Sequence, residues 1–226
     1  MLRGMGVGVV EQGGLEADDI LGTLSVIGEQ QGYDVTILSG DRDLLQLATK
    51  KVCIRIPKTK AGGTIVEEYY DQDVIKEYEL TPSEFIDLKG LMGDTADNIP
   101  GVPGIGPKTG IKILKEYHSL EQVYEHIDEV MPKKAKENMI LYKEQAFLSK
   151  ELATIKTDAQ LDIRIEDYPI GNLFTKEAFE LVKRFELKSL RKYFEEEEVN
   201  AELQITFEET SDMLVCDEVF ETCKKA

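Results

Sequence analysis

The 226 residues are 42% hydrophobic and 31% charged, ordinary proportions for a folded chain long enough to bury a sizeable core. A formal net charge of -17 argues against holding nucleic acid by bulk attraction, and no run approaches the roughly 18 apolar residues of a membrane span, so no membrane partner is expected. The acidity is uneven, with 11 acids against 2 bases in residues 195–226, so local patches matter more than the total.

Met1-Leu2-Arg3-Gly4-Met5 lacks the apolar region of a signal peptide, and Val7-Gly8-Val9-Val10 reads as a short buried strand. From Glu16 to Gln31, Ile20, Leu21, Leu24 and Ile27 recur at helical spacing, and Gly32 ends the run. Val35–Leu38 reads as another buried strand, followed at once by Ser39-Gly40-Asp41. Val52–Ile56 and Thr64–Tyr69 look like two strands joined at Gly62-Gly63. Strand, helix, strand in this order predicts an α/β fold with a parallel sheet over residues 1–70.

From about residue 71 to 194 the pattern turns helical. Thr81-Pro82-Ser83-Glu84 is a helix start with Thr81 as N-cap, Pro82 in the first turn and Glu84 closing a capping box. Helical runs follow at 108–117, 120–127, 133–152 and 175–194, interrupted by an extended segment over 153–165. Glu195-Glu196-Glu197-Glu198 marks an acidic linker, and residues 199–226 read as the start of a following domain. Cys53, Cys216 and Cys223 are odd in number and form no C-x-x-C pair, which points to a reduced, cytoplasmic compartment.

The acids that invite a chemical reading stand at element ends. Glu16, Asp18 and Asp19 open the first helix; Asp41 and Asp43 follow the strand 35–38; Asp94 and Asp97 lie in the loop after the helix that Pro82 begins. Each group alone is explained by capping or turn formation. Together, near the carboxyl ends of strands, they form a set of hard oxygen ligands suited to Mg²⁺ or Mn²⁺, with two ions about 4 Å apart able to serve a phosphodiester. His118 and His126 sit away from these groups, which disfavours zinc or a histidine-based triad. A phosphatase built on Asp41-x-Asp43 is an open alternative.

Ile99-Pro100-Gly101-Val102-Pro103-Gly104-Ile105-Gly106-Pro107-Lys108-Thr109-Gly110 fails both common phosphate-loop patterns: Pro107 separates Gly106 from Lys108, and the glycines are spaced one residue too far for a dinucleotide fingerprint. A tight hairpin between two helices fits it. The glycines admit close backbone approach, and the amides of a helix beginning at Pro107, with Lys108 and Thr109, face an anion. Such a contact grips nucleic-acid backbone without reading bases.

Glu16-Ala17-Asp18-Asp19, Gly40-Asp41-Arg42-Asp43 and Met92-Gly93-Asp94-Thr95-Ala96-Asp97-Asn98-Ile99-Pro100-Gly101-Val102-Pro103-Gly104-Ile105-Gly106, in this order and spacing, closely resemble the 5′-nuclease family: the 5′→3′ exonuclease domain of bacterial DNA polymerase I and its flap-endonuclease relatives. The resemblance covers residues 1–194. It implies an incomplete PIN-like, Rossmann-like sheet followed by a helix–three-turn–helix DNA-binding region. It also implies that Glu16, Asp18, Asp19, Asp41, Asp43, Asp94 and Asp97 surround two Mg²⁺ or Mn²⁺ ions, with Asp18, Asp19, Asp41 and Asp43 nearest the chemistry. Gly101, Val102, Gly104, Ile105, Gly106, Lys108 and Thr109 would then grip duplex DNA, with a K⁺ ion at the hairpin. The implied substrate is a 5′ flap or a 5′ end of duplex, as in primer removal and repair, and a covalently linked polymerase domain is expected in the parent protein. The family's first strand with its Asp-Gly motif, a further metal-binding Asp and the arch helices would precede residue 1, so the chain is expected to be N-terminally truncated. A non-catalytic duplex-binding fragment using residues 81–117 is the alternative. Gly110 departs from the more usual alanine, a change expected to weaken the second helix slightly.

Overall fold

The computed structural model describes residues 1–60 and 62–194; the acidic linker and residues 199–226 lie outside the described residues. Its elements, in chain order, are α1 (Ala17–Gln30), β1 (Val35–Leu38), β2 (Val52–Lys60), β3 (Gly63–Tyr69), α2 (Asp71–Tyr78), α3 (Pro82–Met92), α4 (Pro107–Tyr117), α5 (Leu120–Glu125), α6 (Lys133–Leu141), α7 (Lys143–Ala153), α8 (Lys176–Arg184) and α9 (Lys188–Arg191). The fold is α/β, and two compact units divide it. One spans Val10–Asp167; the other joins Met1–Val9 to the described residues from Tyr168 onward.

In the larger unit the sheet runs β1-β2-β3. β1 pairs parallel to β2, with Val35 opposite Val52, as a connection through further chain allows. β2 and β3 pair antiparallel, from Ile54 opposite Tyr69 to Lys60 opposite Gly63, because so short a connection cannot reverse strand direction any other way. The sheet is therefore mixed, correcting the expectation of a parallel one. Among the described residues β1 is an edge strand with only Ile37 buried, and Leu38 is 67% exposed, so the expected buried strand is buried on one face only. Val7–Val10 forms no strand: among the described residues it has no ladder partner.

One core joins sheet and helices. Ile37, Val52 and Ile54 share it with Leu44, Leu45 and Leu47 and with Leu88, Leu91, Leu114 and Met139 of the helices. The sheet, the turn after β1 and the helices up to α7 thus bury apolar surface against each other. α2, which the periodicity does not announce, is set by local chemistry: the Asp73 carboxylate accepts from the Tyr70 amide at 3.0 Å, and Val74 buries fully. α3 begins as expected, with Glu84 accepting from the Thr81 amide at 2.7 Å and the Thr81 hydroxyl accepting from the Glu84 amide at 3.3 Å.

The expected helix over 133–152 breaks at Tyr142, which leaves helical geometry at φ -110, ψ 28 and serves both as the C-cap of α6 and the N-cap of α7. The run over 175–194 also divides: Leu187 donates back to Val182, with Glu186 left-handed at φ 51, and α9 starts afresh. In this smaller unit Ala178, Phe179, Val182 and Phe194 make a second core. Residues 154–164 carry no strand; they run as an irregular segment whose role lies at the site.

Candidate metal centre and phosphate-gripping hairpin

Three turns bring the carboxylates together, all within the larger unit. Glu16 is the extended N-cap of α1, which places Asp18 and Asp19 in its first turn, where the helix dipole favours negative charge. α1 can approach its neighbours because its packed positions are small. A Cβ at Gly28 would stand 2.8 Å from Val35, and one at Gly22 2.8 Å from Ile155 and 2.9 Å from the Lys156 carbonyl oxygen. The irregular segment after α7 therefore lies directly on α1. There the Lys156 amide donates to Asp19 at 2.9 Å and the Ala159 amide to the Thr23 hydroxyl at 3.1 Å.

After β1 the chain folds on its own side chains. The Asp41 amide donates to the Ser39 hydroxyl at 3.1 Å, and the Asp43 amide to the Asp41 carboxylate at 2.9 Å, an Asx turn. Arg42 points to α2, bonding the Tyr78 hydroxyl and standing 3.7 Å from Glu77. The 3₁₀ turn Asp43–Leu47 then drives Leu44, Leu45 and Leu47 into the core. Gln46 ties this turn to the irregular segment, donating to the Asp43 and Ala153 carbonyls at 3.0 Å each and accepting from the Ile155 amide at 3.0 Å.

The third turn follows α3. The Asp94 amide donates to the Ile99 carbonyl at 2.8 Å and the Ile99 amide returns the bond at 2.7 Å, closing a loop that contains Asp97. The Asp94 carboxylate accepts from the Ala96 amide at 2.8 Å.

Glu16, Asp18, Asp19, Asp41, Asp43 and Asp97 line one cleft of about 320 Å³, closed on the other side by Leu152–Ile155. Asp94 stands at its edge: one oxygen each from Asp43, Asp94 and Asp97 lie within 4.8 Å of one another. An all-carboxylate donor set so arranged fits a hard divalent cation. Burial pushes the Asp18 carboxyl up, and Asp41, Glu16, Asp43 and Asp19 push it further. Burial also raises Asp43, although Lys89 pulls against it. Asp94 is held below the usual carboxylate range, chiefly by its bond to Lys89.

Lys89 is the site residue that sequence reasoning misses. It lies in α3 with its side chain 9% exposed, its ammonium 2.6 Å from Asp43 and bonded to Asp94. Burial alone would lower its pKa, but Asp43 and Asp94 more than offset that and raise it. The available signal is a lysine inside the otherwise apolar run Leu88-Lys89-Gly90-Leu91. Asp87, buried in the same helix, is a structural counterpart: it accepts from the Leu120 amide at 3.0 Å and pairs with Lys150 at 2.6 Å.

The hairpin between α3 and α4 forms as expected, with Pro107 in the first turn of α4. Its residues divide into two sets. Val102 and Ile105 turn their side chains into the core; the Val102 amide donates to Leu91 at 2.7 Å and the Ile105 amide to Val102 at 3.1 Å. Gly101 is buried, its amide donating to the Ser149 hydroxyl at 3.0 Å and its carbonyl accepting from Gln145 at 2.6 Å. These three build the turn. Gly104, Gly106 and Lys108 are exposed, with Thr109 half-buried beside them, so the face open to a ligand is narrower than the motif. His118, left-handed at φ 64, pairs with Glu84 at 2.9 Å and takes no part in the cleft.

Two family models match in tandem: the N-terminal resolvase-like domain of 5′-3′ exonucleases over residues 1–79 and the C-terminal SAM fold of the same enzymes over residues 80–176. The chain is 43% identical to DNA polymerase I of Bacillus subtilis over 214 residues, 91% of the chain and 24% of that protein. It is 51% identical to DNA polymerase I of Streptococcus pneumoniae over 167 residues, 74% of the chain and 19% of that protein. The chain thus spans a quarter or less of the curated relatives it matches. Among solved structures, the T5 D15 protein co-crystallised with metal ions aligns at 28% identity and TM-score 0.56, over 66% of this chain and 53% of that one. The bacteriophage T5 D15 flap endonuclease in a complex with DNA and metal ions aligns at 29% and 0.54, over 64% and 51%. The catalytic core of Rad2 with a DNA substrate, at 16% identity and TM-score 0.51 over 84% and 59%, shares the fold.

Proposed function

The chain belongs to the 5′→3′ exonuclease family, and from that premise we propose that it is the nuclease portion of a DNA polymerase I, hydrolysing DNA phosphodiesters at 5′ flaps or 5′ ends of duplex. The observation that carries the reading is the gathering of Glu16, Asp18, Asp19, Asp41, Asp43 and Asp97 on one cleft, with Asp94 beside them. These seven carboxylates would hold two Mg²⁺ or Mn²⁺ ions, which when bound would supply Lewis-acid stabilisation of charge on a phosphodiester. The chain's own residues prepare the site. Lys156 orients Asp19 through its amide, the Asx turn fixes Asp41 against Asp43, and Gln46 clamps the cleft wall to the turn that carries Asp43.

The hairpin holds the duplex by its backbone. Gly104 and Gly106 let phosphates approach the main chain, Lys108 supplies charge, and the first turn of α4 supplies amides; a K⁺ ion held at the hairpin would add positive charge there. The biological setting is primer removal and repair in the cytoplasm, with a polymerase domain covalently linked in the parent protein. The test is Mg²⁺-dependent cleavage of a 5′-flap substrate by the full-length parent. Activity is expected to disappear with Asp18→Ala or Asp94→Ala, and a parent that leaves the flap intact would overturn the reading.

Duplex binding without hydrolysis is the second reading. The observation favouring it is that the described hairpin is fully built, with Lys108 and Lys112 exposed on α4. It predicts weak, salt-dependent duplex affinity that Lys108→Ala reduces. Equal affinity of variant and unmutated chain would remove the hairpin from either reading.

A further inference from the structure

We propose that Lys89 is a resident counterion of the carboxylate cluster, its ammonium standing between Asp43 and Asp94 and competing with a divalent ion for their oxygens. The inference rests on the reading of the cleft as a metal centre and goes beyond it, because it assigns the two ends of that centre different standing. At one end Asp43, Asp94 and Asp97 present oxygens within 4.8 Å of one another, and two of the three already bond Lys89. At the other end, among the described residues, no lysine or arginine pairs with Glu16, Asp18, Asp19 or Asp41.

Charge explains why a lysine stands there. Three carboxylates at this separation repel one another, and the repulsion is screened less in a half-buried cleft than in water. A side chain 9% exposed keeps its ammonium only when it is paired and hydrogen-bonded, and Asp43 and Asp94 meet both needs. The cluster is thereby held in place without an ion. The same arrangement opposes an incoming divalent ion, which must either share oxygens with a fixed positive charge or displace it. Lysine suits displacement: its charge sits on a flexible four-carbon stem, unlike the planar fork of arginine. An ion is therefore taken up first at the unpaired end, by Glu16, Asp18, Asp19 and Asp41, and more weakly at Asp43, Asp94 and Asp97.

Calorimetric titration of the chain with Mn²⁺, in the absence of DNA, tests this. Lys89→Met keeps length and apolar stem and removes the charge. It is expected to tighten the weaker Mn²⁺ step by roughly tenfold or more, the size set by removing a like charge a few ångströms away. Lys89→Arg, which keeps the charge, is expected to stay within a few-fold of the unmutated chain. Melting followed by circular dichroism supplies a second readout: Lys89→Met loses thermal stability without metal and regains it with Mn²⁺. Equal or weaker Mn²⁺ affinity in Lys89→Met overturns the proposal and leaves the nuclease reading standing, as does a Lys89→Met chain that stays unfolded in saturating Mn²⁺. Failure of both the unmutated chain and Lys89→Met to bind Mn²⁺ overturns the metal-centre reading, and the proposal with it.

Discussion

Gly93 and Gly101 stack backbone on backbone: a Cβ at Gly93 would stand 2.5 Å from the Ile99 carbonyl oxygen and 2.8 Å from the Gly101 nitrogen, and one at Gly101 would collide with the Gly93 nitrogen in turn. Both have positive φ, 72 and 58, so each position is closed to a side chain by conformation as well as by space. This contact sets where the acidic loop leaves α3 and where the hairpin begins, so it positions Asp94, Asp97 and Gly104 together. Gly101→Ala is expected to cost at least about 2 kcal/mol in urea unfolding, from strain at positive φ and from a clash with main chain that cannot rotate away. A loss below about 0.5 kcal/mol would show that the loop has room to adjust.

The pair of Asp87 and Lys150 joins α3 to α7, and Lys150 also pairs with Glu121 of α5 at 2.8 Å. Asp87 is 5% exposed, so removing its partner strands a charge. Lys150→Met is expected to destabilise by about 2–3 kcal/mol in chemical denaturation, and Asp87→Asn in the same chain to recover part of that loss. Additive single losses would mean that the two side chains act independently.

Much of this was legible in the sequence where the cause is local. The capping box of Thr81 and Glu84 needs only four residues, and α3 starts where it says. The carboxylates announce themselves because they sit at a helix start or in turn sequences after a strand or a helix. What stayed hidden depends on residues far apart in the chain. Gln46 shows its role only when Ile155, 109 residues away, folds back on it, and Lys89, though its apolar neighbours mark it, meets Asp43 only in the fold. The hairpin motif does not show which of its positions pack into the core and which stay open. Val102 and Ile105 belong to the same motif as Gly104, Gly106, Lys108 and Thr109, yet their side chains are buried in the core while Gly104, Gly106 and Lys108 stay exposed and Thr109 half-buried, a division that only the packing reveals.

Glu84 carries a pH dependence. Burial acts to raise its pKa, but the bonds it accepts from the Thr81 amide and hydroxyl, and the His118 ring beside it, more than offset that and hold it below the usual value. A depressed carboxylate pKa contributes stability that is complete above the unfolded value, 4.5, and is lost as pH falls through the folded one. The melting temperature of the unmutated chain is therefore expected to exceed that of Glu84→Gln at pH 6, with the gap narrowing as pH drops below about 4.5. A gap unchanged down to pH 3 would place the stabilisation in packing and not in charge.

Gly110 separates two effects that share one substitution. Alanine in a helix interior gains about 1 kcal/mol over glycine, so by propensity Gly110→Ala should stabilise α4. But Gly110 is buried where α4 crosses α3, and its Cβ would stand 2.7 Å from the Leu88 Cδ1 methyl. The obstacle is the tip of a side chain, which can shift at a cost of about 1–3 kcal/mol in a packed core. The two effects nearly cancel, so Gly110→Ala is expected within about 1 kcal/mol of the unmutated chain in urea unfolding. Leu88→Val, by shortening the obstructing side chain, should make the alanine favourable when both changes are combined. A Gly110→Ala chain as unstable as Gly101→Ala would mean that the α3–α4 crossing is as rigid as the backbone contact at Gly93.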